Sequence, residues 1–356
     1  MNAPAAPPPG ATPEQRITVA FDALGAEAGI EAVTEGVRAA AGDGIAVRVF
    51  GPAAALRELE SERVEVIDTT TVIGNDEEPV RAVRSRPDAS IVRAAADVAA
   101  GRSDALASPG STGATMTAAL FALKRIRSVQ RPALAVEIPA PGRSRPLLML
   151  DVGANADARP SHLVQFAYLG AAFARAVLGV EEPRVGLLSV GAEPKKGSAT
   201  VVEAHAALLA GDGIAFVGNV EGRDLLDPEA DVVVTDGFTG NVVLKTIEGT
   251  ASAVGSAVGR AARSGPLAAA GGLLLRPALG GLRAELEPDR TGGAILLGLR
   301  GVAVVGHGSS GPLGITNQIR LAARAASEHA SRRTAELIER SGVGRGALRD
   351  AEGPGS

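Results

Sequence analysis

The stretch ADVVVTDGFTGNVVLKTIEG, Ala230–Gly249, sets a short apolar run against a helix-like one, with only the turn Asp236–Gly240 between them. Val232, Val233 and Val234 have the length and branching of a buried strand, and the residues after Gly240 repeat at helical spacing. Strand, tight turn and helix in that order form the repeating unit of a parallel α/β sheet. A helix that starts at such a turn presents backbone N–H groups with the positive end of its dipole behind them, which attracts anions. Asp236, Gly237 and Gly240 are therefore read as the edge of an oxyanion or phosphate site.

The same unit recurs along the chain. Apolar runs stand at ITVAF (17–21), AVRVF (46–50), VEVID (64–68), DALAS (104–108) and ALAVEI (133–138), then at LLML (147–150), RVGLLSV (184–190), IAFV (214–217) and VAVV (302–305). Helical patterns over 30–41, 89–100, 112–123, 161–178, 198–210 and 240–260 separate most of them, and residues 313–340 read as one long helix. The expectation is a mostly parallel α/β sheet covered by helices on both faces. A single α/β domain is expected over 16–340, between disordered tails at 1–15 and 341–356.

One segment breaks the alternation. Residues 265–288 are apolar and helical in tendency, interrupted by Pro277 and several glycines, with no run long enough to span a bilayer. An interfacial amphipathic element, a helical hairpin against a second subunit and a plain core helix pair all fit. Leu273, Leu274 and Leu275 in succession favour exposure to an apolar partner. Leu267 and those three leucines are the expected contacts with a membrane surface, with Arg276 near the headgroups.

Composition removes several function classes. Of 356 residues, 2% are aromatic and the net charge is -4, which gives neither stacking platforms nor a global field for nucleic acid. The chain has 0 Cys, so disulfides, thiolate metal sites and a cysteine nucleophile are excluded. With only 4 His, a multi-histidine metal centre is not expected, and neither a metal nor a cofactor is assigned. The N-terminus lacks the basic and apolar regions of a secretion signal, and a cytoplasmic location is expected.

Glycine-rich turns follow many of the apolar runs: SPGSTGA (108–114), DVGAN (151–155), GAEPKKG (191–197), GNVEG (218–222), DGFTGN (236–241) and GHGSS (306–310). In an open α/β sheet, the strand ends are where loops and helix N-termini converge on ligands, and all these turns are expected at one such edge. Familiar fingerprints fail. GHGSSG (306–311) matches G-x-G-x-x-G, but no second strand with a ribose-binding carboxylate follows. GAEPKKGS places its lysines before the final glycine, unlike a Walker A loop, and no G-x-S-x-G elbow occurs. What remains is a set of donors: Lys196 in a glycine-flanked loop, Asn241 and Lys245 on one helix face, His307 between glycines, and Asn155 and Asp157 after a strand. A loop lysine also reads as a solvated charge, and an asparagine beside glycine as a turn former. Their joint placement points to an anion site.

The blocks DVGANADARPSHLVQFAYLG (151–170), PRVGLLSVGAEPKKGS (183–198), GNVEGRDLL (218–226), DVVVTDGFTGNVVLKTIEG (231–249) and GAILLGLRGVAVVGHGSS (293–310) resemble the phosphate acyltransferases of the PlsX family. AFDALG (20–25) and SPGSTGATM (108–116) extend the likeness over nearly the whole chain. The resemblance implies a Rossmann-like three-layer α/β/α core with a protruding helical hairpin, at about 260–288 here. It implies attack of inorganic phosphate on a fatty acyl-acyl carrier protein to release acyl phosphate for phospholipid synthesis. It also implies a homodimer that works at the inner face of the membrane, beside the membrane glycerol-3-phosphate acyltransferase that consumes the product. Lys196, Asn241, Asn219 and His307 are the expected catalytic groups. Gly110, Ser111, Thr112, Gly113, Asn155, Asp157, Asp236, Gly237, Gly240 and Lys245 are the expected substrate contacts. Acidic carrier protein is expected on basic patches at Arg81, Arg84 and Arg86, at 124–127, or at Arg260 and Arg263. Three departures stand out: Ser111 where the family has Asn, Ala26 in DALGAE where it has Gly, and Pro194 where it carries an acid. They leave open a non-catalytic carrier-protein binder, and a short-chain phosphotransacylase using acyl-CoA shares the chemistry.

Overall fold

β-Strands form on the apolar runs, and they do not all run the same way. The computed structural model describes residues 16–140, 145–226, 229–285 and 288–343. Its strands are β1 (Thr18–Asp22), β2 (Ala46–Gly51), β3 (Val64–Asp68), β4 (Ala105–Ser108), β5 (Ala133–Ile138) and β6 (Leu147–Leu150). They continue with β7 (Arg184–Ser189), β8 (Ala215–Glu221), β9 (Val232–Val234), β10 (Ala294–Leu297) and β11 (Val302–Val305). All join one sheet in the order β3-β2-β1-β4-β11-β10-β5-β6-β9-β7-β8. The fold class is as expected, a mostly parallel α/β sheet with flanking helices.

The sheet is built from two parallel blocks. β3, β2, β1, β4 and β11 run one way. β6, β9, β7 and β8 are likewise parallel to one another. Between the blocks, β10 and β5 form three successive antiparallel pairings, from β11 through to β6, so the second block runs opposite to the first. The expectation that all glycine-rich turns share one edge is therefore corrected. Those after β4 and β11 leave by one edge of the sheet. Those after β6, β7, β9 and within the end of β8 leave by the other.

Packing follows from the sequence pattern. The helix Pro160–Ala176 is buried over almost its whole circumference, including Phe166, Tyr168 and Phe173. Burying each such side chain contributes about 1.5–3 kcal/mol. Gly170 lets this helix touch the sheet, since a Cβ there would lie 2.6 Å from Val232 Cγ1 and 2.9 Å from Leu150 Cδ1. The helix Ala330–Arg340 packs against it. The single helix expected over 313–340 is in fact two, Pro312–Ser327 and Ala330–Arg340, parted where His329 takes a left-handed conformation (φ 51°).

The helix after β9 runs from Gly237 to Ala261, and a second, Pro266–Glu285, follows after a short connection. Gly272 lies against Ala262 of that connection. Leu267, Leu273, Leu274 and Leu275 are 88%, 67%, 83% and 58% exposed. Among the described residues no helix is long and apolar enough to cross a membrane. The tail expected over 1–15 lies outside the described residues, as does all of the tail over 341–356 beyond its first three.

Candidate active site

The loop after β6 and the start of the helix Gly237–Ala261 are built around one carboxylate. Asp151 is fully buried. Its Oδ1 accepts from the amides of Leu134 (3.0 Å), Gly153 (3.2 Å) and Ala154 (2.9 Å). Its Oδ2 accepts from the Asn155 amide at 2.8 Å and from Asn155 Nδ2 at 2.7 Å. Burial pushes this carboxyl above its ordinary value, against the opposing pull of those donors. Asn155 is thereby committed to the loop, and its Nδ2 also reaches the Pro132 carbonyl at 2.8 Å. Asp157 is exposed.

The helix start is seated on that loop. Gly237 N donates to the Asn155 carbonyl at 2.7 Å. A Cβ on Gly237 would lie 2.8 Å from Asn155 N, and one on Gly240 would overlap the Asp151 carbonyl oxygen. Asp236 caps the helix, its Oδ1 accepting from Thr239 N at 2.8 Å and its Oδ2 from Thr239 Oγ1 at 2.7 Å. Gly240 N donates to Asp236 O at 2.9 Å. The amides of Gly237, Thr239 and Gly240 are thus engaged within the protein. Asn241 and Lys245 are exposed on the helix surface, with the Lys245 ammonium paired to Glu248 at 2.7 Å.

The neighbouring loop after β7 carries Lys196 into solvent while its main chain is pinned. Ser189 Oγ donates to the Lys196 carbonyl at 2.9 Å. Asn219 Nδ2 donates to the Glu193 carbonyl at 2.8 Å and to that of Gly191 at 3.3 Å, with the Lys196 carbonyl 3.5 Å away. Asn219 reaches them because β8 slips register against β7 between Val185 and Gly186, where Gly218 has φ 95°. Such a bulge re-aims the side chains beyond it. Lys196, Asn219, Asn241 and the 151–157 loop therefore stand at one edge, on four neighbouring strands.

The other expected residues stand at the opposite edge. Gly110 packs backbone to backbone on Gly25. Ser111 caps the helix Thr112–Leu123 by accepting from Ala114 N at 3.4 Å, a role in which Ser and Asn are about equally favoured. A Cβ on Gly113 would lie 2.7 Å from Pro79 Cγ. His307 is exposed, and its Nδ1 accepts from Ser309 N at 3.3 Å with Ser309 Oγ 2.6 Å away. That leaves Nε2 as the donor of the neutral ring.

Three residues beside these positions went unread in the sequence. Asp22, buried behind Gly110, accepts from Ser108 Oγ at 2.8 Å, and burial pushes its carboxyl up. Its place at the end of β1 was the available signal. His205 is buried beside Asn219. Phe238, 68% exposed beside Gly237, offers apolar surface next to the loops. No group of three or more metal-ligating side chains converges among the described residues.

A family profile described as fatty acid synthesis protein matches residues 17–333. A curated phosphate acyltransferase from Enterococcus faecalis is 44% identical over 308 residues, 85% of this chain and 92% of that protein. Another of the same name, from Geobacillus thermodenitrificans, is 43% identical over 310 residues, 86% of this chain and 94% of that one. A solved phosphotransacetylase from Streptococcus pyogenes shares the fold, with a TM-score of 0.57 at 17% identity over 88% of this chain and 94% of its own.

Proposed function

The chain belongs to the phosphate acyltransferase family and is an acyltransferase, and on that premise we propose that it transfers a fatty acyl group from acyl-acyl carrier protein to inorganic phosphate. A phosphate oxygen attacks the thioester carbonyl carbon to give a tetrahedral oxyanion. Its collapse breaks the carbon–sulfur bond, and the carrier leaves as the thiol, carrying the proton that phosphate gives up. Acyl phosphate is the product. The reaction needs no covalent enzyme intermediate. It needs phosphate held against the carbonyl, and fixed donors for charge that develops on the way.

The observation that carries this reading is the exposed Lys196 ammonium on a loop whose carbonyls are held by Asn219 and Ser189. A cation on a pinned backbone costs little to reorganise when an anion arrives. In this reading Lys196 offsets phosphate charge, Asn241 donates to an oxyanion or phosphate oxygen, and Lys245 supports it. Exposed Phe238 and Val190, 68% and 81% exposed, offer apolar surface to the acyl chain. His307 and the Gly110–Gly113 turn are included on the resemblance of both segments to the family. We further propose a homodimer at the inner face of the membrane, held there weakly by Leu267 and Leu273–Leu275, beside a membrane glycerol-3-phosphate acyltransferase that takes the product.

The test is incubation with phosphate and either palmitoyl-acyl carrier protein or palmitoyl-CoA, followed by assay of acyl phosphate. Turnover of the carrier-protein substrate supports the proposal. Preference for CoA makes the chain a phosphotransacylase of the CoA type, and binding of the carrier without turnover makes it a non-catalytic binder.

A further inference from the structure

We propose that His205 is a positioning residue, which orients the Asn219 amide so that it grips the loop carrying Lys196. The proposal rests on the reading that Lys196 serves the reaction. His205 lies in the helix Ala199–Ala210 and is 5% exposed. Its ring stands edge-on to Phe216, with centroids 5.1 Å apart at 75°. Its Nδ1 is 3.0 Å from Asn219 Oδ1.

The hydrogen-bond geometry leaves one arrangement. The carbonyls of Gly191, Glu193 and Lys196 only accept, so the amide group that faces them must be the NH2 of Asn219. Oδ1 then faces the imidazole and also only accepts, so Nδ1 of His205 carries a hydrogen. Remove that donor and Oδ1 loses its hydrogen bond to the ring, so the amide is held less firmly against the three carbonyls and the loop loosens. The bulge at Gly218 and the helix Ala199–Ala210 bring Asn219 and His205 together across a sequence separation of 14.

The chain of contact therefore runs from Phe216 through His205 and Asn219 to the main chain at Lys196. None of the first three needs to touch substrate. The loop has a second anchor, the Ser189 hydroxyl on the Lys196 carbonyl, so loss of His205 loosens it without unfolding the sheet.

His205→Phe keeps the ring and its edge contact but has no donor, and His205→Asn keeps an N–H at the δ position. His205→Leu serves as the donor-free variant if the Phe protein does not fold. Trypsin reads the loop directly, because Lys195 and Lys196 are exposed and cleavage there needs the loop to detach. Cleavage after these lysines should accelerate at least about fivefold in the Phe variant and return towards wild type in the Asn variant. kcat/KM for phosphate should fall about tenfold in the Phe variant, recover in the Asn variant, and fall no further when His205→Phe is added to Lys196→Met. Wild-type cleavage and activity in the Phe variant overturn the proposal, as does an activity loss without faster cleavage. Faster cleavage with full activity overturns the link to the reaction. If Lys196→Met is also silent, it is the reading of Lys196 that has failed, while the grip on the loop stands.

Discussion

Lys196→Met separates a working cation from a solvated one. Lys196 is exposed, and its stem lies over Gly191, where an added Cβ would be 3.0 Å from Lys196 Cγ. Methionine keeps that stem, and the loop is held through main-chain carbonyls that the substitution does not touch. Melting temperature should therefore change little. Two unit charges 4 Å apart interact by about 1 kcal/mol in bulk water and about 4 kcal/mol near a protein surface at an effective dielectric constant of 20. The first figure corresponds to roughly fivefold in rate, and a hundredfold loss needs about 2.7 kcal/mol. The expected result is a fall in kcat/KM of at least about a hundredfold, because the acyl chain and carrier exclude water once bound. Lys195→Met, one residue away, should be nearly silent. Equal, small losses in both would refute the reasoning. The amides of Gly237, Thr239 and Gly240 are already engaged, so an anion site at this edge would then have to rest on Asn241.

Gly240→Ala drives a methyl group onto the Asp151 carbonyl oxygen, and should cost about 1–3 kcal/mol in urea unfolding; wild-type stability would show that the helix is not seated there. Asp22 has a carboxyl raised above its ordinary 3.8 by burial, so the native state holds its proton longer than the unfolded chain does. Stability of the wild type relative to Asp22→Asn should accordingly fall as pH rises from about 4 to the raised value and then level off; a difference constant with pH refutes this. Leu273 and Leu275, 67% and 58% exposed, should together support co-sedimentation with anionic vesicles, at about 1.5–3 kcal/mol per buried leucine. Changing both to Glu should abolish it, and loss of a dimer instead would assign these leucines to a subunit contact.

The alternation of apolar runs and helical patterns was enough to reach the fold class, and the helix Thr112–Leu123 matches its sequence pattern end to end. Strand direction was within reach as well. Only residues 139–146 separate β5 from β6, too few for a parallel crossover, which takes a dozen or more. That spacing already implies an antiparallel pair, so the turn after β6 leaves by the edge opposite to the end of β5. β10 was harder to read. Ala294–Leu297 is a short apolar run hemmed in by Gly293 and Gly298, both at positive φ, and its pattern suits a strand or a buried loop equally. The break at His329 carries no Gly or Pro, and its left-handed backbone gives no compositional signal.

The glycines of DGFTGN pose the sharper lesson. Two physical demands select glycine at the start of a helix beside a strand end: an anion that must approach the backbone, or another segment that must. Composition does not distinguish them. The structure does, because Gly237 and Gly240 lie on the main chain of Asn155 and Asp151, where a side chain has no room whether or not a ligand binds. Glycine at these positions is accounted for by packing, and so cannot also be counted as evidence for phosphate. The weight shifts to groups that packing does not explain. Lys196 is the clearest of them, since the contacts around it hold its backbone and its stem while its charge stands in solvent. Asn219 could be suspected from its place in GNVEG, yet its part as the grip on that loop depends on a register slip and on partners more than twenty positions away. No local pattern encodes that arrangement. An anion site in this fold is therefore best sought where a cation is exposed on a backbone that is held, rather than where glycines are merely dense.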